Sequence, residues 1–425
     1  MKTKNKKEKV EWKRLDNASK IFPAISNNKD TKVYRISAEL YRDVNPENLQ
    51  KALDLTLEDF PMYKSILRRG FFWYYFESSN IHPKVEIEST NPCSAIYIKG
   101  KKNHLFRISY YKKRINLELF HALSDGAGAI WFLETLVFYY IKINYKDELG
   151  NSKPSLEHGA SISQKSDDGF WRNYTPDIQN TKIKRKRYTT AYMIKGKRID
   201  ENKMKVIEGA MSVEKILNIS RGYGTSMTVF LTSLFMYSIY ADMPKNKKKK
   251  LIVISVPINL HRYYDSLTAR NFFTTMDISY DFQKNSPEIK DIVEYVNKEF
   301  KKGLEKENIH RKVVRFMKFE NNPVIRIIPL VIKDFFMKIA SKFNSKSISS
   351  SISNIGRIKT AEEFESYIKQ FSICASARAP KITFCSYRDR LVITFTSPYV
   401  ETEIQREFFQ FLSNRDIEIE ITSNM

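Results

Sequence analysis

Glycine and proline are scarce in this chain. Its 425 residues hold 13 glycines and 14 prolines, too few for a collagen-like or low-complexity protein. Cysteine is scarcer still. Cys93, Cys374 and Cys385 are the three present, and no two are spaced as CxxC. An odd, sparse set supplies neither a disulfide framework nor a zinc site and fits a reducing compartment. No apolar run of signal-peptide form follows the Lys-rich start, so a cytoplasmic location is expected. No GxSxG elbow, P-loop or dinucleotide fingerprint occurs, which argues against a serine-nucleophile hydrolase and the common nucleotide folds. Acidic residues are also in short supply: 48 Asp and Glu face 72 Lys and Arg, a net charge of +24. One reading is an anionic partner; the other is a composition in which Lys, Ile and Asn abound throughout. Basic clusters lie at Lys2–Lys9, Lys182–Arg187 and Lys245–Lys250. None interleaves aromatic residues as a base-stacking platform would, so no nucleic-acid partner is expected.

What is present suffices for a large core, at 42% hydrophobic and 13% aromatic residues. Residues 222–241 carry no formal charge, but the apolar part, Met227–Ala241, is too short to span a bilayer and reads as a buried core helix. Trp12–Pro23 has helical spacing that Pro23 stops, and Lys32–Leu40 alternates as a strand. Asn45–Glu58 places Leu49, Leu53 and Leu57 on one helical face. Phe71–Phe76 is an aromatic strand, either a core strand or a wall for an apolar substrate. His104–Tyr111 and Arg114–Phe120 are strands joined at Lys112-Lys113, and a helix runs from Ala129 to about Ile143. Apolar density falls from Asn144 to Lys186, the best candidate boundary. Beyond it come a strand at Tyr188–Ile199, helices at Val213–Ser220 and Met227–Ala241, and strands at Leu251–Pro257 and Asn271–Phe282. A helix at Ile289–Leu304, a helix at Ala361–Phe371, a hairpin at Lys381–Cys385 and Leu391–Thr396, and a helix near Thr402–Ser413 complete the pattern. Ile325–Phe343 reads first as a packed helix and second as an interfacial membrane helix. Strands and helices alternate in both halves, so the class is mixed α/β with two sheet-and-helix lobes.

Six histidines exist, and one has a chemical setting. His121 ends a strand in the string Phe120-His121-Ala122-Leu123-Ser124-Asp125-Gly126-Ala127-Gly128, directly before an apolar helix. A strand-end histidine alone is more often structural. Here a side chain at the junction can enter a cleft. Asp125 can cap the helix or orient the loop. Gly126 and Gly128 let backbone N–H groups approach a ligand and stabilise a developing oxyanion. A metal would need further ligands, and no other His, Cys or carboxylate cluster has the spacing.

The string His121-x-x-x-Asp125-Gly126 resembles the HxxxDG motif of the CoA-dependent acyltransferase superfamily, which includes chloramphenicol acetyltransferase, plant BAHD acyltransferases and condensation domains. Four further segments resemble a bacterial alcohol-acetyltransferase-like group within it. They are Trp12-x-x-Leu15-Asp16-Asn17-Ala18-x-x-Ile21-Phe22-Pro23, Phe72-Trp73-x-Tyr75-Phe76-Glu77, Val256-Pro257-x-Asn259-Leu260-x-Arg262 with Arg270-Asn271-Phe272-Phe273, and Ser353-Asn354-Ile355-Gly356. Phe120 stands where condensation domains carry a first histidine, and the plant-type DFGWG motif is absent.

The resemblance implies two chloramphenicol-acetyltransferase-like lobes, each a mixed sheet flanked by helices, with a channel between them. The lobes would be residues 11–185 and 186–425. It implies that His121 is a general base that deprotonates a hydroxyl acceptor. Asp125 would hold the loop against Arg262, and the Gly126 N–H would stabilise the oxyanion. Asn271, Ser353 and Asn354 are channel candidates. Acyl-CoA, acetyl-CoA in the first instance, would be the co-substrate, with no bound cofactor and no metal. The acceptor would be a small molecule, sugar or lipid, acted on by a monomer with peripheral membrane contact as an option. A condensation-type enzyme using a carrier-bound donor and a non-catalytic binder of anionic ligands are the alternatives.

Overall fold

Strand alternation on either side of Lys112-Lys113 builds the first sheet. Phe106–Tyr111 and Arg114–Phe120 form an antiparallel hairpin in which Tyr111 faces Arg114. The computed structural model describes residues 12–150, 160–174, 190–201 and 203–424. The basic clusters at 2–9 and 182–187 lie outside the described residues. Val33–Leu40 pairs antiparallel with Arg114–Phe120, and Val85–Ile87 pairs parallel with Phe106–Tyr111. The fifth strand, Ile368–Ala375, comes from far along the chain and lies on the other edge of Val33–Leu40. The first sheet is therefore completed by residues from beyond 186. Helices Pro46–Asp59 and Gly126–Asn144 pack together over this sheet. Leu49, Leu53 and Leu57 are buried, as their four-residue spacing requires.

A second sheet has seven strands. Its order is Phe273–Tyr280, Ile252–Asn259, Ser350–Ile358, Lys381–Tyr387, Arg390–Ser397, Lys205–Ser212 and Glu420–Ser423. Ser350–Ile358 runs parallel to both neighbours and the other pairs are antiparallel. Helices Met227–Asp242, Ile289–Gly303 and Glu403–Ser413 contribute to its core. Within the uncharged stretch, residues 229–236, 238 and 239 are buried, so this is a core helix. Gly126–Asn144 alone among the described helices is long and apolar enough to cross a membrane, and it is mostly buried inside the protein. Each main sheet carries its own apolar core, giving two mixed α/β lobes.

Four expectations change. Ala361–Phe371 is a single 3-10 turn followed by the strand Ile368–Ala375, because pairing with Val33–Leu40 outweighs local helix propensity. Within 188–199, residues 190–199 are described and form only isolated bridges, at Ala191 and Arg198. Pro23 starts a short helix, Phe22–Ile25, instead of ending one, consistent with the tolerance of proline in a first turn. The aromatic run is not one buried strand. Strands Ser65–Arg69 and Tyr74–Ser78 form a hairpin closed by Gly70 N–H donating to Trp73 O at 2.9 Å. The turn thereby lifts Phe71 and Trp73 into solvent. Trp12–Arg14 adds a third strand to that hairpin.

Candidate active site

Asp125 shapes the turn between the last strand residue, Phe120, and the helix. It is the N-cap: Oδ1 accepts from Ala127 N at 3.0 Å and Gly128 N at 3.1 Å. Its main-chain oxygen accepts from Ala129 N. Asp125 thus accepts from the N–H groups of Ala127, Gly128 and Ala129, and not from that of Gly126. The second carboxylate oxygen, Oδ2, accepts from Phe272 N at 2.8 Å. One carboxylate thus fastens the helix start of the first lobe to the segment 268–272 of the second. Arg262 is not its partner. Arg262 is exposed, and both oxygens of Asp125 are occupied by backbone N–H groups. The matching segment does reach Asp125, through its backbone ten residues further on.

The close approach explains Gly128. A Cβ there would overlap Ala269 O and Ser124 Oγ. Ser124 Oγ also donates to Ala269 O at 2.6 Å. Gly126 is tight too, with Ile355 Cδ1 at 2.9 Å from where a Cβ would stand. Tyr34 Oη secures the turn from below, donating to Ser124 O at 3.0 Å and Asp125 O at 2.9 Å.

His121 sits in an aromatic box. Phe22 stacks on it with centroids 4.4 Å apart and planes inclined by 15°. Tyr34 and Phe273 lie at 5.0 and 5.5 Å. Asn271 holds the imidazole. Its Nδ2 donates to His121 O at 2.9 Å and to Ser19 Oγ at 2.8 Å, so its Oδ1 is the acceptor 3.2 Å from His121 Nδ1. That arrangement favours the tautomer with the proton on Nδ1 and the lone pair on Nε2. Burial pushes the imidazole down to about 4, against the opposing pull of its own carbonyl, Asp125 and Asn271. The ring is therefore neutral at physiological pH.

Asn271 is supported in turn by residues that carry no functional signal of their own in the sequence. Ser19 Oγ donates to Asp16 Oδ1 at 2.6 Å, and Ser19 N donates to the same oxygen at 2.8 Å. Arg270 Nε lies 3.6 Å from Asp16 Oδ2, and Arg270 donates to Arg14 O at 2.6 Å. Asp16 is fully buried, and desolvation raises its carboxyl to about 6 despite Arg270. The chain Arg270–Asp16–Ser19–Asn271–His121 joins the N-terminal segment to the imidazole. Asp16 and Arg270 both lie in segments quoted above; their burial, not their type, reveals their role.

The other channel candidates lie in the strand beside the helix start. Asn354 is exposed; it donates to Thr228 Oγ1 and accepts from Gly356 N, fixing the irregularity between Asn354 and Gly356. Ser353 is half-buried. Neither is hydrogen-bonded to His121, whose partner is Asn271. Their neighbour Ile355 instead lines a cavity of about 200 Å³ together with Ala127, Ile130 and Trp131, with Arg357 and Lys359 also at its wall. Among the described residues, no group of three or more His, Cys, Asp or Glu side chains converges to hold a metal ion.

No family model and no curated protein matches this sequence. Solved structures do match in three dimensions. A trichothecene 15-O-acetyltransferase, TRI3, from Fusarium sporotrichioides superposes with a TM-score of 0.63 at 10% identity, over 96% of each chain. The first condensation domain of the CDA synthetase gives 0.62 at 10%, over 95% of each. TRI101 of F. sporotrichioides, complexed with coenzyme A and T-2, gives 0.60 at 9%, over 94% of this chain and 97% of that one. Over 94–96% of its length, the chain has the two-lobed fold that these acetyltransferases and condensation domains share.

Proposed function

We propose that the protein is an acyltransferase that moves an acyl group from acyl-CoA to a hydroxyl acceptor, with His121 as general base. The observation that carries this reading is the setting of His121: its Nδ1 lies 3.2 Å from the Asn271 amide oxygen, an arrangement that favours a proton on Nδ1 and a lone pair on Nε2, and burial lowers the imidazole's pKa. As the acceptor hydroxyl attacks the thioester carbonyl, its proton passes to Nε2. The carbonyl becomes a tetrahedral oxyanion, and Gly126 N–H is the helix-start donor left to meet it. Collapse expels the CoA thiolate, which takes up the proton from Nε2. General-base catalysis of this kind contributes ~10²–10⁴-fold, and an oxyanion donor a similar order.

The likeness to an O-acetyltransferase, and to one complexed with coenzyme A, supports acyl-CoA as donor and oxygen as the acceptor atom. So does Phe120, which occupies the place of the first histidine of condensation domains and is fully buried in the core. The cavity beginning at Ala127 is the candidate donor arm, and the cationic Arg357 and Lys359 suit the phosphates of a CoA ester. In this reading acetyl-CoA is the first donor to try, the acceptor is a small alcohol, sugar or lipid, and the enzyme is cytoplasmic.

A donor panel tests it. Thiol release is followed from acetyl-CoA, longer acyl-CoAs and acyl-phosphopantetheinyl carrier protein, each with a set of alcohol acceptors. Acceptor-dependent release from CoA esters is expected. Release only from the carrier protein would replace the reading with a condensation-type enzyme, and release from none would leave a binding protein.

A further inference from the structure

The helix Leu330–Ser345 is built inside out. At 100° per residue, Val331, Phe335, Ile339, Ile332, Phe343 and Phe336 fall on one half of its circumference. An ordinary surface helix turns such a stripe inward. Here the stripe faces solvent: Val331 is 64% exposed, Phe335 60%, Phe336 62% and Phe343 67%. Only Leu330 and Asp334 of this helix are buried. Polar contacts hold it to the body. Asp334 accepts from Tyr74 Oη at 2.8 Å and pairs with Arg69 at 3.5 Å. Lys333 donates to Phe72 O, and Leu330 N–H donates to Phe71 O.

The patch continues beyond the helix. Phe71 and Trp73 stand out from the hairpin turn to which the helix is bonded. Val324 and Ile327 of the preceding short helix, Pro323–Ile327, are exposed as well, as is Phe319. An exposed apolar surface of this extent marks an interaction site. Its rim identifies the partner. From Arg315 to Lys346 there are seven cations, Arg315, Lys318, Arg326, Lys333, Lys338, Lys342 and Lys346, against two carboxylates, Glu320 and Asp334. Both carboxylates are already paired, Glu320 with Lys20 and Asp334 with Arg69. On the helix itself, Lys338 and Lys342 border the aromatic stripe. Aromatic and aliphatic side chains on one face, with lysines at its edge, match the boundary between acyl chains and anionic headgroups.

We propose that this face docks on an anionic lipid bilayer, with Phe335, Phe336 and Phe343 entering the acyl boundary and Lys338 and Lys342 meeting headgroup phosphates. The docking stands apart from the reaction. If acyl transfer also holds, the acceptor class narrows to membrane-dissolved alcohols. Helix Leu330–Ser345 rests on the turn Phe22–Ile25, whose Phe22 is the ring stacked on His121.

Co-sedimentation of the full chain with vesicles tests it without reference to turnover. The vesicles are phosphatidylcholine alone, and phosphatidylcholine with phosphatidylglycerol. Binding to the anionic vesicles that weakens with salt is expected. The exposed triple variant Phe335→Ser/Phe336→Ser/Phe343→Ser should keep its melting temperature and bind at least ~tenfold less. Lys338→Glu/Lys342→Glu should lose binding to anionic vesicles specifically, by about tenfold or more. The Lys-rich residues 2–9 remain in every variant, so these losses assign binding to the helix. The proposal is overturned if the parent ignores both vesicle types, if either variant binds as the parent does, or if the triple variant instead dissolves a dimer of the parent that vesicles do not displace.

Discussion

Asn271 grips His121 at two points: its amide nitrogen donates to the histidine's carbonyl at 2.9 Å, and its amide oxygen faces Nδ1 at 3.2 Å. A single side chain from the second lobe thus holds the main chain of a residue in the first and presents an acceptor to its ring. Removing it should leave a folded protein with a disordered base. Asn271→Ala is expected to lower kcat by about 10–100-fold, the usual cost of losing an orienting partner. Asn271→Asp restores an acceptor and adds a charge beside the ring. It should raise the imidazole's apparent pKa, moving the acid limb of the kcat/KM profile toward neutral pH. A pH–rate series on both variants checks this, since a purely structural role would not move the limb.

Asp125 and Arg262 make opposite predictions. Asp125→Asn keeps one oxygen for the helix cap but turns an amide donor toward Phe272 N, which now donates to Oδ2. The donor–donor clash should cost about 1–3 kcal/mol, read by denaturant unfolding, with activity falling alongside. Arg262→Ala removes an exposed side chain that touches neither oxygen and should change stability by less than about 0.5 kcal/mol.

Gly128→Ala tests the packing of the two lobes. The new methyl has Ala269 O and Ser124 Oγ in its way, and backbone cannot yield as a flexible side chain can. A loss of about 1–3 kcal/mol is expected despite alanine's better helix propensity. An unchanged melting temperature would mean that the helix start and residues 268–272 are less closely apposed than described.

Two buried groups give the protein opposing pH dependences. The folded His121 imidazole stays neutral to about 4 while the unfolded one protonates near 6.5. Its contribution to stability is therefore intact above 6.5 and lost as pH falls through that window. Asp16 is the reverse. Its folded carboxyl is raised from 3.8 to about 6, so stability tied to it is present below 3.8 and lost as pH rises through about 6. Asp16→Asn should flatten the second dependence and leave the first, in melts recorded from pH 4 to 8. For turnover, His121 predicts an acid limb well below the ordinary histidine value.

The sequence made the elements with strong periodicity legible. Leu49, Leu53 and Leu57 gave one helix, and the alternation of Arg114–Phe120 gave the strand that delivers His121. The HxxxDG string and the quoted segments near Asp16, Arg270 and Ser353 anticipated the two-lobed fold. Long-range pairing was not legible. Ala361–Phe371 reads as a helix in isolation, and its last residues join the strand Ile368–Ala375 only because Val33–Leu40, more than 300 residues earlier, offers an edge. The partner of Asp125 differs for a related reason. The resemblance implies an ion pair with Arg262, but it is the backbone at Phe272 that arrives. Asn271 was expected in the channel, and its direct hold on His121 needed the fold to appear. The inverted helix at Leu330–Ser345 was ambiguous because amphipathic spacing gives the stripe without saying which side faces the body.

The central claim is that His121 takes the acceptor's proton. Acceptor-dependent thiol release from acetyl-CoA and longer acyl-CoAs, compared between the parent and His121→Ala at equal fold content by circular dichroism, measures it most directly. A fall of ~10²–10⁴-fold in kcat with acyl-CoA binding retained is predicted. Equal turnover by the two proteins would contradict the account.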